Sequence, residues 1–299
     1  MAITALGAFT QAAADQIQAG IGGAGSLAKT TWYVDTVNGN NQYDGTSWDT
    51  AFGTMAQALA TVGSFERIVF TGKVREQLVA PLGVYGIEIT GAAGGAPRTD
   101  LAASWLAPAS PAATTPLLQL REQGWTLSNF LMTGPSDDAC VKLSRRESAT
   151  LPDASHAVFS GMQFQGGFIH IEDDGGSFNV RIDGCTFMLA AGVGGGAIVS
   201  TSTTVAAPYK WVITNSNFQT NVNHIVMPFN KAIIGMNGQG NTFAEATTTV
   251  IDLTGGTAPN NVVDNSFDVA AASFDPGGGV TGVTGDVWSN TLTLAFCLS

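Results

Sequence analysis

The chain has 299 residues, of which 44% are hydrophobic and only 12% are charged, and it carries 37 glycines and a formal net charge of -11. This composition can bury a sizeable core. It has too little Glu, Lys and Leu for a helical bundle and is typical of stacked strands joined by tight turns. An acidic surface repels phosphate groups, so we expect no binding to nucleic acid.

The cysteine spacing and the hydropathy pattern argue against further classes of protein. Cys140, Cys185 and Cys297 lie far apart, their number is odd and no CxxC occurs, so we predict neither a disulfide framework nor a zinc site, and no cofactor. No stretch approaches the roughly 18 apolar residues that a membrane-spanning helix needs. The first basic residue is Lys29 and no compact apolar block precedes it, which makes the N-terminus a poor secretory signal.

Residues 1–30 are predicted to form an N-terminal anchoring arm, separate from a domain at 31–299. The segment 9–19 is rich in Ala and Gln and mildly helical, and a Gly-rich hinge follows at 21–26. An arm with so little charge and apolar bulk cannot form a core alone. We therefore expect it to become ordered only on binding another protein.

The segment 32–62 predicts a strand, a polar turn and a short helix. Tyr33 and Val34 open the strand, and the stretch 38–45 is dense in Asn, Gly and Asp. Asp49 or Thr50 is a candidate helix cap. The apolar positions of the predicted helix share one face, and they are Phe52, Met55, Ala56 and Leu59. A helical lid of this kind at the head of repeating strands indicates a β-solenoid.

A six-residue pattern recurs from residue 127 onward: apolar, any, Asn/Asp/Gly/Ser, any, any, apolar. It returns about every 23 to 32 residues, a period typical of solenoids. In a weak copy, Gly238 stands at the first position. The copies end at Met132, Phe164, Phe187, Phe218, Phe243, Phe267 and Leu292.

The pattern predicts a narrow core with a sharp corner between two strands. The terminal apolar residues point inward, so the phenylalanines stack in one buried ladder, with a second inner ladder of asparagines. The middle Asn, Asp or Gly tolerates the left-handed backbone that the corner needs. A β-sandwich is the alternative, but Asn-Gly pairs do not fall between alternating runs as hairpins would require.

Residues 32 to about 95 resemble the opening of right-handed parallel β-helix proteins of the pectate-lyase-like superfamily. The likeness rests on Tyr33-Val34-Asp35, Asp44-Gly45-Thr46-Ser47, Ala51-Phe52, Arg67-Ile68-Val69-Phe70 and Gly86-Ile87-Glu88-Ile89-Thr90-Gly91. This resemblance implies a fold that hosts lyases, hydrolases, epimerases and phage tailspikes. Asn40 and Asn41 stand where relatives often carry an Asp, which weakens any case for calcium.

Enzymes of this superfamily cleave glycans with two or three carboxylates that face a cleft. The acid/base candidates are Asp137, Asp138, Glu172 and Asp174, although the Asn-Thr-Asp and Gly-His-Gly signatures of its hydrolases are absent. We expect His156, His170 and His224 to be surface or stacking residues, and Lys142 with Arg145 and Arg146 to form a solvated turn. Candidates for stacking on sugar rings, with packing inside the coil as the alternative, are Trp105, Trp125, Trp211 and Trp288.

The resemblance is closest to bacteriophage virion proteins, which are usually homotrimers. It implies a structural protein on the virion surface, a capsid decoration or cement protein or a spike-like knob on capsid or tail. Residues 1–30 would attach it to other virion proteins, and a host surface glycan would be a further partner. A polysaccharide lyase or hydrolase of the tailspike type and a non-enzymatic glycan-binding module are the alternatives. The stretch 291–299 is apolar and uncharged, so we expect a neighbouring subunit or a cap to cover it.

Overall fold

The computed structural model describes residues 30–92, 103–144, 154–200, 208–228, 231–236, 238–245, 248–253, 260–268, 273–275 and 287–288. The side chains of 273–275 and 287–288 are not described. The anchoring arm and the apolar C-terminal stretch lie outside the described residues, so what the sequence implies about them remains a prediction.

The strands form three parallel sheets, and from β2 onward consecutive strands along the chain fall in different sheets. The first sheet contains β1 Thr31–Asp35, β2 Arg67–Thr71, β5 Glu88–Gly91, β8 Thr126–Ser128, β11 Val158–Ser160, β14 Arg181–Asp183, β17 Val212–Thr214, β20 Ile233–Ile234 and β23 Asn261–Val262. The second contains β3 Lys73–Val74, β6 Ser104–Leu106, β9 Leu131–Thr133, β12 Gln163–Gln165, β15 Thr186–Met188, β18 Asn217–Gln219, β21 Thr242–Ala244, β24 Ser266–Asp268 and β26 Val287–Trp288. The third contains β4 Leu78–Val79, β7 Leu118–Leu120, β10 Ala139–Leu143, β13 Ile169–Asp173, β16 Gly196–Ser200, β19 Asn223–Val226, β22 Thr249–Asp252 and β25 Ser273–Asp275.

Each strand pairs with its counterpart one coil away, so the chain winds as a right-handed parallel β-helix. This confirms the predicted fold. The β-sandwich alternative is wrong, because a sandwich is built from antiparallel strands whereas the described strands pair in parallel.

A short helix closes the N-terminal end, as predicted, but it begins later than the sequence suggests. Helix α1 spans Met55–Thr61, and Thr54 is its N-cap, with a side chain that accepts from the backbone N–H of Gln57. The carboxylate of Glu76 accepts from the N–H groups of Met55 and Ala56, each at 2.9 Å. The predicted caps Asp49 and Thr50 and the predicted buried Ala56 are therefore wrong. The helix buries Met55, Ala58 and Leu59.

The segment before the helix covers the free edge of β1. The N–H of Phe52 donates to the carbonyl of Tyr33, and the N–H of Asp35 donates to the carbonyl of Phe52, both at 2.9 Å. An uncovered edge strand would invite pairing with another chain. Phe52 thus belongs to this edge cover rather than to the helix.

The predicted phenylalanine ladder is confirmed along the inner face of the second sheet. Successive ring centroids lie 4.7 to 5.1 Å apart, and neighbouring rings are nearly parallel. All five rings are at most 1% exposed. The strand register continues the same position downward through Met132 and Trp105. The members of the ladder are Phe164, Phe187, Phe218, Phe243 and Phe267.

The predicted left-handed corner lies between the first and second sheets. Its residues have φ angles from 51° to 64° and are Asn129, Gly161, Gly184, Asn215 and Asp264. The six-residue pattern places the weak copy at the wrong residue. Ile234, not Gly238, pairs with Ile213 and Val262. Seven residues separate β20 from β21, against two between β14 and β15, so the pattern is out of step with the strand here.

The asparagine ladder is shorter than predicted. Asn129 and Asn215 sit at the corner position, which faces outward, whereas Asn241 and Asn265 occupy the next position and are buried. The amide of Asn241 donates to the carbonyl of Ile213 and to the Oδ1 of Asn265, both at 2.9 Å. These bonds join Asn241 to the coils on either side of it, so its buried amide group has hydrogen-bond partners.

Candidate functional site

Three of the four candidate carboxylates gather around one lysine on the outer face of the third sheet. Lys142 in β10 lies in register with Glu172 in β13. Its Nζ is 3.2 Å from Oε1 of Glu172 and 3.5 Å from Oδ2 of Asp174. Asp138, which precedes β10, also acts electrostatically on the lysine. We call these four residues the Lys142 cluster. The fourth candidate, Asp137, is exposed.

The electrostatics of the Lys142 cluster oppose proton abstraction by its lysine. Burial by itself lowers the pKa of Lys142, but the charges of Glu172, Asp174 and Asp138 outweigh it, so the pKa is raised. A lysine with a raised pKa stays protonated at neutral pH and cannot act as a base. The Glu172 side chain is only 7% exposed and that of Asp174 is 44% exposed. The cluster is therefore a set of ion pairs, partly buried in the sheet face.

The sequence placed Lys142 in a solvated turn, which is wrong. It belongs to a strand whose neighbours Val141 and Leu143 point into the core. Val141 pairs with Ile171, and Leu143 pairs with Asp173. Matching these positions in the sequence would have placed Lys142 beside Glu172. Arg145 and Arg146 lie outside the described residues.

Alternation along β13 separates the neighbouring acids. Glu172 faces outward, whereas Asp173 is completely buried. The Asp173 carboxylate accepts from the N–H groups of Gly176 and Ser177 at 2.9 and 3.1 Å and from the Ser177 hydroxyl at 2.6 Å. Asp173 thus stabilises the turn that follows β13 and does not face outward.

The candidate sugar-stacking tryptophans lie inside the coil. Trp105, Trp125 and Trp211 have no exposed surface. The Nε1 of Trp105 donates to the carbonyl of Glu76 at 2.7 Å, and that of Trp211 donates to the carbonyl of Ser177 at 3.1 Å. A sugar cannot reach these rings in this structure, so their placement fits the packing alternative. The side chain of Trp288 is not described.

Two of the three histidines also belong to the core. His170 and His224 are completely buried. The His170 ring stacks on Phe164 and Phe187 with centroids 5.8 and 6.0 Å away. His156 is exposed and meets Phe178 edge to face. These placements match the expected stacking and surface roles.

The described ranges contain neither a cluster of metal-binding side chains nor a membrane-crossing helix. Among the residues that the structure describes, no group of three or more His, Cys, Asp or Glu side chains could hold a metal ion. In the same part of the chain, no helix is long and apolar enough to cross a membrane.

Comparison with known proteins places the chain in a fold rather than in a family. No protein-family model matches it, and no curated protein matches it. Among solved structures it is similar to a complex of XylC with xylose, with a TM-score of 0.51, 8% identity, and coverage of 86% of this chain and 68% of that protein. At this identity the likeness shows the shared β-helix fold alone.

Other similar structures have TM-scores below 0.5. A GH136 lacto-N-biosidase from Eubacterium ramulus matches at a TM-score of 0.49 with 10% identity over 87% of this chain, and the chain spans only 55% of that protein's length. Pectate lyase Pel9A matches at 0.47 with 12% identity, over 89% of this chain and 78% of the lyase. ORF18 of Geobacillus virus E2 matches at a TM-score of 0.36 with 14% identity, over 93% of this chain and 62% of the viral protein. A TM-score this low supports no conclusion about this chain.

Proposed function

We propose that this β-helix is a structural protein of a bacteriophage particle, a capsid decoration or cement protein or a spike-like knob on the virion surface. The observation that carries the structural role is the pairing of the candidate catalytic groups with each other: Glu172 and Asp174 both contact Lys142. An acid/base pair for glycan cleavage needs free carboxylates that face a substrate. The Gly-rich composition and low charge of residues 1–30 support attachment to other virion proteins, and assembly as a homotrimer is part of the same proposal.

Deleting residues 1–28 is expected to leave the β-helix folded and to abolish attachment to the particle. The first strand begins at Thr31, so the deletion removes no residue of the described coil. Circular dichroism and thermal unfolding of the truncated protein check the fold, and co-sedimentation with particles that lack the protein checks attachment. Particles that bind the truncated and full-length proteins equally would contradict anchoring by the arm.

A second candidate function, polysaccharide cleavage, is favoured by one observation. Asp138, Glu172 and Asp174 come from separate positions in the chain yet converge on the same outer face. Substrate binding would have to displace Lys142 from at least one of them to free an acid. We place this function second because the ion pairs with Glu172 and Asp174 hold the lysine in the sheet face.

The purified protein is expected to release no new reducing ends and no unsaturated, ultraviolet-absorbing product from bacterial capsular polysaccharides. Glu172→Gln and Asp138→Asn should therefore change nothing in this assay. Asp137→Asn, at an exposed position, is the matched control. If the unaltered protein cleaves a polysaccharide, and Glu172→Gln stops cleavage while Asp137→Asn does not, the enzyme replaces the structural protein as the conclusion.

A further inference from the structure

A second left-handed corner runs along the β-helix at the entrance to the first sheet. The residue two positions before each of seven strands has a φ angle between 55° and 77°. The N–H groups of the first five donate to the carbonyl one residue before the counterpart on the next coil, from the Phe65–Tyr85 bond to the Asn179–Tyr209 bond, at 2.7 to 3.0 Å. Side chains at this corner therefore follow one another at the spacing of neighbouring strands, about 4.8 Å. The residues are Phe65, Gly86, Gly124, His156, Asn179, Lys210 and Lys231.

The upper part of this corner carries residues that a left-handed turn does not favour. Glycine and asparagine adopt this backbone readily, and histidine is enriched in it, but a lysine with positive φ is uncommon. Lys210 and Lys231 both have a φ of 55° on successive coils. Unfavourable backbone at exposed positions is a reason to look for a function there.

Both lysines point to the same aromatic ring. The Nζ atoms of Lys210 and Lys231 lie 5.3 and 5.6 Å from the ring centroid of Tyr209. The ring attracts each ammonium group, but it does not neutralise them, and two like charges beside one ring repel each other. An anion held between them would relieve this repulsion.

No carboxylate supplies that anion within the described part of the chain, where neither lysine forms an ion pair. Asp183 in β14 is already engaged with Arg181 at 3.8 Å and with the Thr214 hydroxyl at 2.8 Å. The neighbouring segments 201–207 and 254–259 contain no Asp or Glu in the sequence. The chain has only 12 basic residues against 23 acidic ones, so this meeting of two unpaired lysines is a local exception to its charge.

Neutral polar groups continue the corner below the lysines. His156 Nε2 and Asn179 Nδ2 are 3.1 Å apart, and both residues are exposed. The His156 ring meets Phe178 edge to face, with centroids 4.9 Å apart. Along the β-helix axis the corner thus offers a neutral hydrogen-bonding pair, two aromatic rings and two cations, one coil after another.

We propose that this corner binds an acidic polysaccharide lengthwise, with a uronate carboxylate between Lys210 and Lys231 and hydroxyls of adjoining sugars on Asn179 and His156. One coil is about as long as one pyranose ring, so successive sugars would meet successive coils. A polyphosphate fits less well, because the overall charge of -11 repels a densely charged backbone while a single carboxylate needs only the local lysine pair. The site lies at the entrance to the first sheet, away from the Lys142 cluster. It goes beyond the proposed attachment to a particle and does not depend on it.

Oligogalacturonate is the probe, titrated into the full-length protein at low ionic strength by isothermal titration calorimetry. The Lys210→Gln/Lys231→Gln double variant is expected to bind about tenfold more weakly or worse, since it loses two charge-assisted hydrogen bonds. Asn179→Ala should weaken binding less. Lys73→Gln, at an exposed lysine of the second sheet, is the control for losing a positive charge elsewhere and should bind as the unaltered protein does. Unchanged thermal midpoints would show that the variants are folded.

Competition experiments identify the chemical class of the ligand. A neutral dextran should not compete, and inorganic phosphate and single-stranded DNA should compete only weakly. Absence of binding by the unaltered protein, an equal loss in Lys73→Gln, or undiminished binding by the double variant would each overturn the proposal. Displacement by DNA or phosphate as effective as by the uronate would overturn the assignment of an acidic polysaccharide.

Discussion

Replacing Phe218 with alanine is expected to lower the free energy of unfolding by about 3–5 kcal/mol. The ring is completely buried and stacks on Phe187 and Phe243 with centroids 4.7 Å away on either side. Truncation would leave a cavity in the middle of the ladder. Neighbouring coils can collapse into it only partly, because the strand hydrogen bonds fix their separation.

Urea unfolding of the two proteins measures this effect. Phe65→Ala is the matched control, since it removes the same ring from a site that is 65% exposed, and it should change the free energy of unfolding by less than about 1 kcal/mol. Equal effects of the two substitutions would mean that the ladder contributes little to the stability of the coil.

The sequence predicts the coil because the core residues of a β-helix repeat along one direction, the axis of the β-helix. Each coil must place an apolar side chain above the one before it, so the spacing of Phe187, Phe218 and Phe243 reveals the period directly. The corner was predicted for a similar reason, as Gly184 and Asn215 suit the backbone that a sharp bend requires. The weak copy at Gly238 failed because an inserted loop imitates the pattern, and only the pairing of Ile234 with its neighbours identifies the true position.

The lid and the outer faces depend on contacts that a single stretch of sequence does not contain. The start of helix α1 is set partly by Glu76, which lies 20 or 21 residues beyond the N–H groups that it accepts from. Lys142 finds Glu172 thirty residues away and only through strand register. Trp105, Trp125 and Trp211 carry no sign of which face they occupy until the strands are placed.

The sequence pattern does not predict the corner that carries Lys210 and Lys231, and the reason is different. Asn179 and His156 are of residue types enriched in left-handed backbone, but Lys210 and Lys231 are not, so the two lysines carry no turn signal. Counting three residues back from the first apolar residue of the copies at Phe159, Ile182 and Ile213 places His156, Asn179 and Lys210 in one row. Lys231 joins this row only once Ile234 replaces Gly238.

Acid is expected to destabilise the β-helix between pH 6.5 and 5, well above the range in which carboxylates usually titrate. Burial lowers the pKa of His170 to about 3 and that of His224 to about 4, against an ordinary value of 6.5. Below pH 6.5 the unfolded chain binds protons on these rings while the folded chain does not, so stability falls as pH falls. Each histidine lowers the free energy of unfolding by about 1.4 kcal/mol for each pH unit below 6.5. The loss for both together is about 4 kcal/mol at pH 5.

The surroundings of the two rings explain why they stay neutral. The carbonyls of Gly166 and Met188 favour protonation of His170, but burial outweighs them, and neither ring nitrogen makes a hydrogen bond of normal geometry among the described residues. The Nδ1 of His224 accepts from the Asn221 amide at 3.0 Å, and its Nε2 donates to the carbonyl of Ala244 at 3.1 Å. Protonating His224 would therefore set a new N–H against the Asn221 amide.

Thermal unfolding from pH 7 to 5 tests this dependence. The double variant His170→Leu/His224→Leu should lose most of it, because leucine has no proton to bind in either state. His156→Gln, at the exposed histidine, should keep it. The carboxylates of Asp35 and Glu66 have lowered pKa values, so the stability they contribute is lost only as pH falls below about 4. A midpoint that stays constant between pH 7 and 5 in the unaltered protein, or that falls equally in the double variant, would show that the buried histidines are not the acid-sensitive groups.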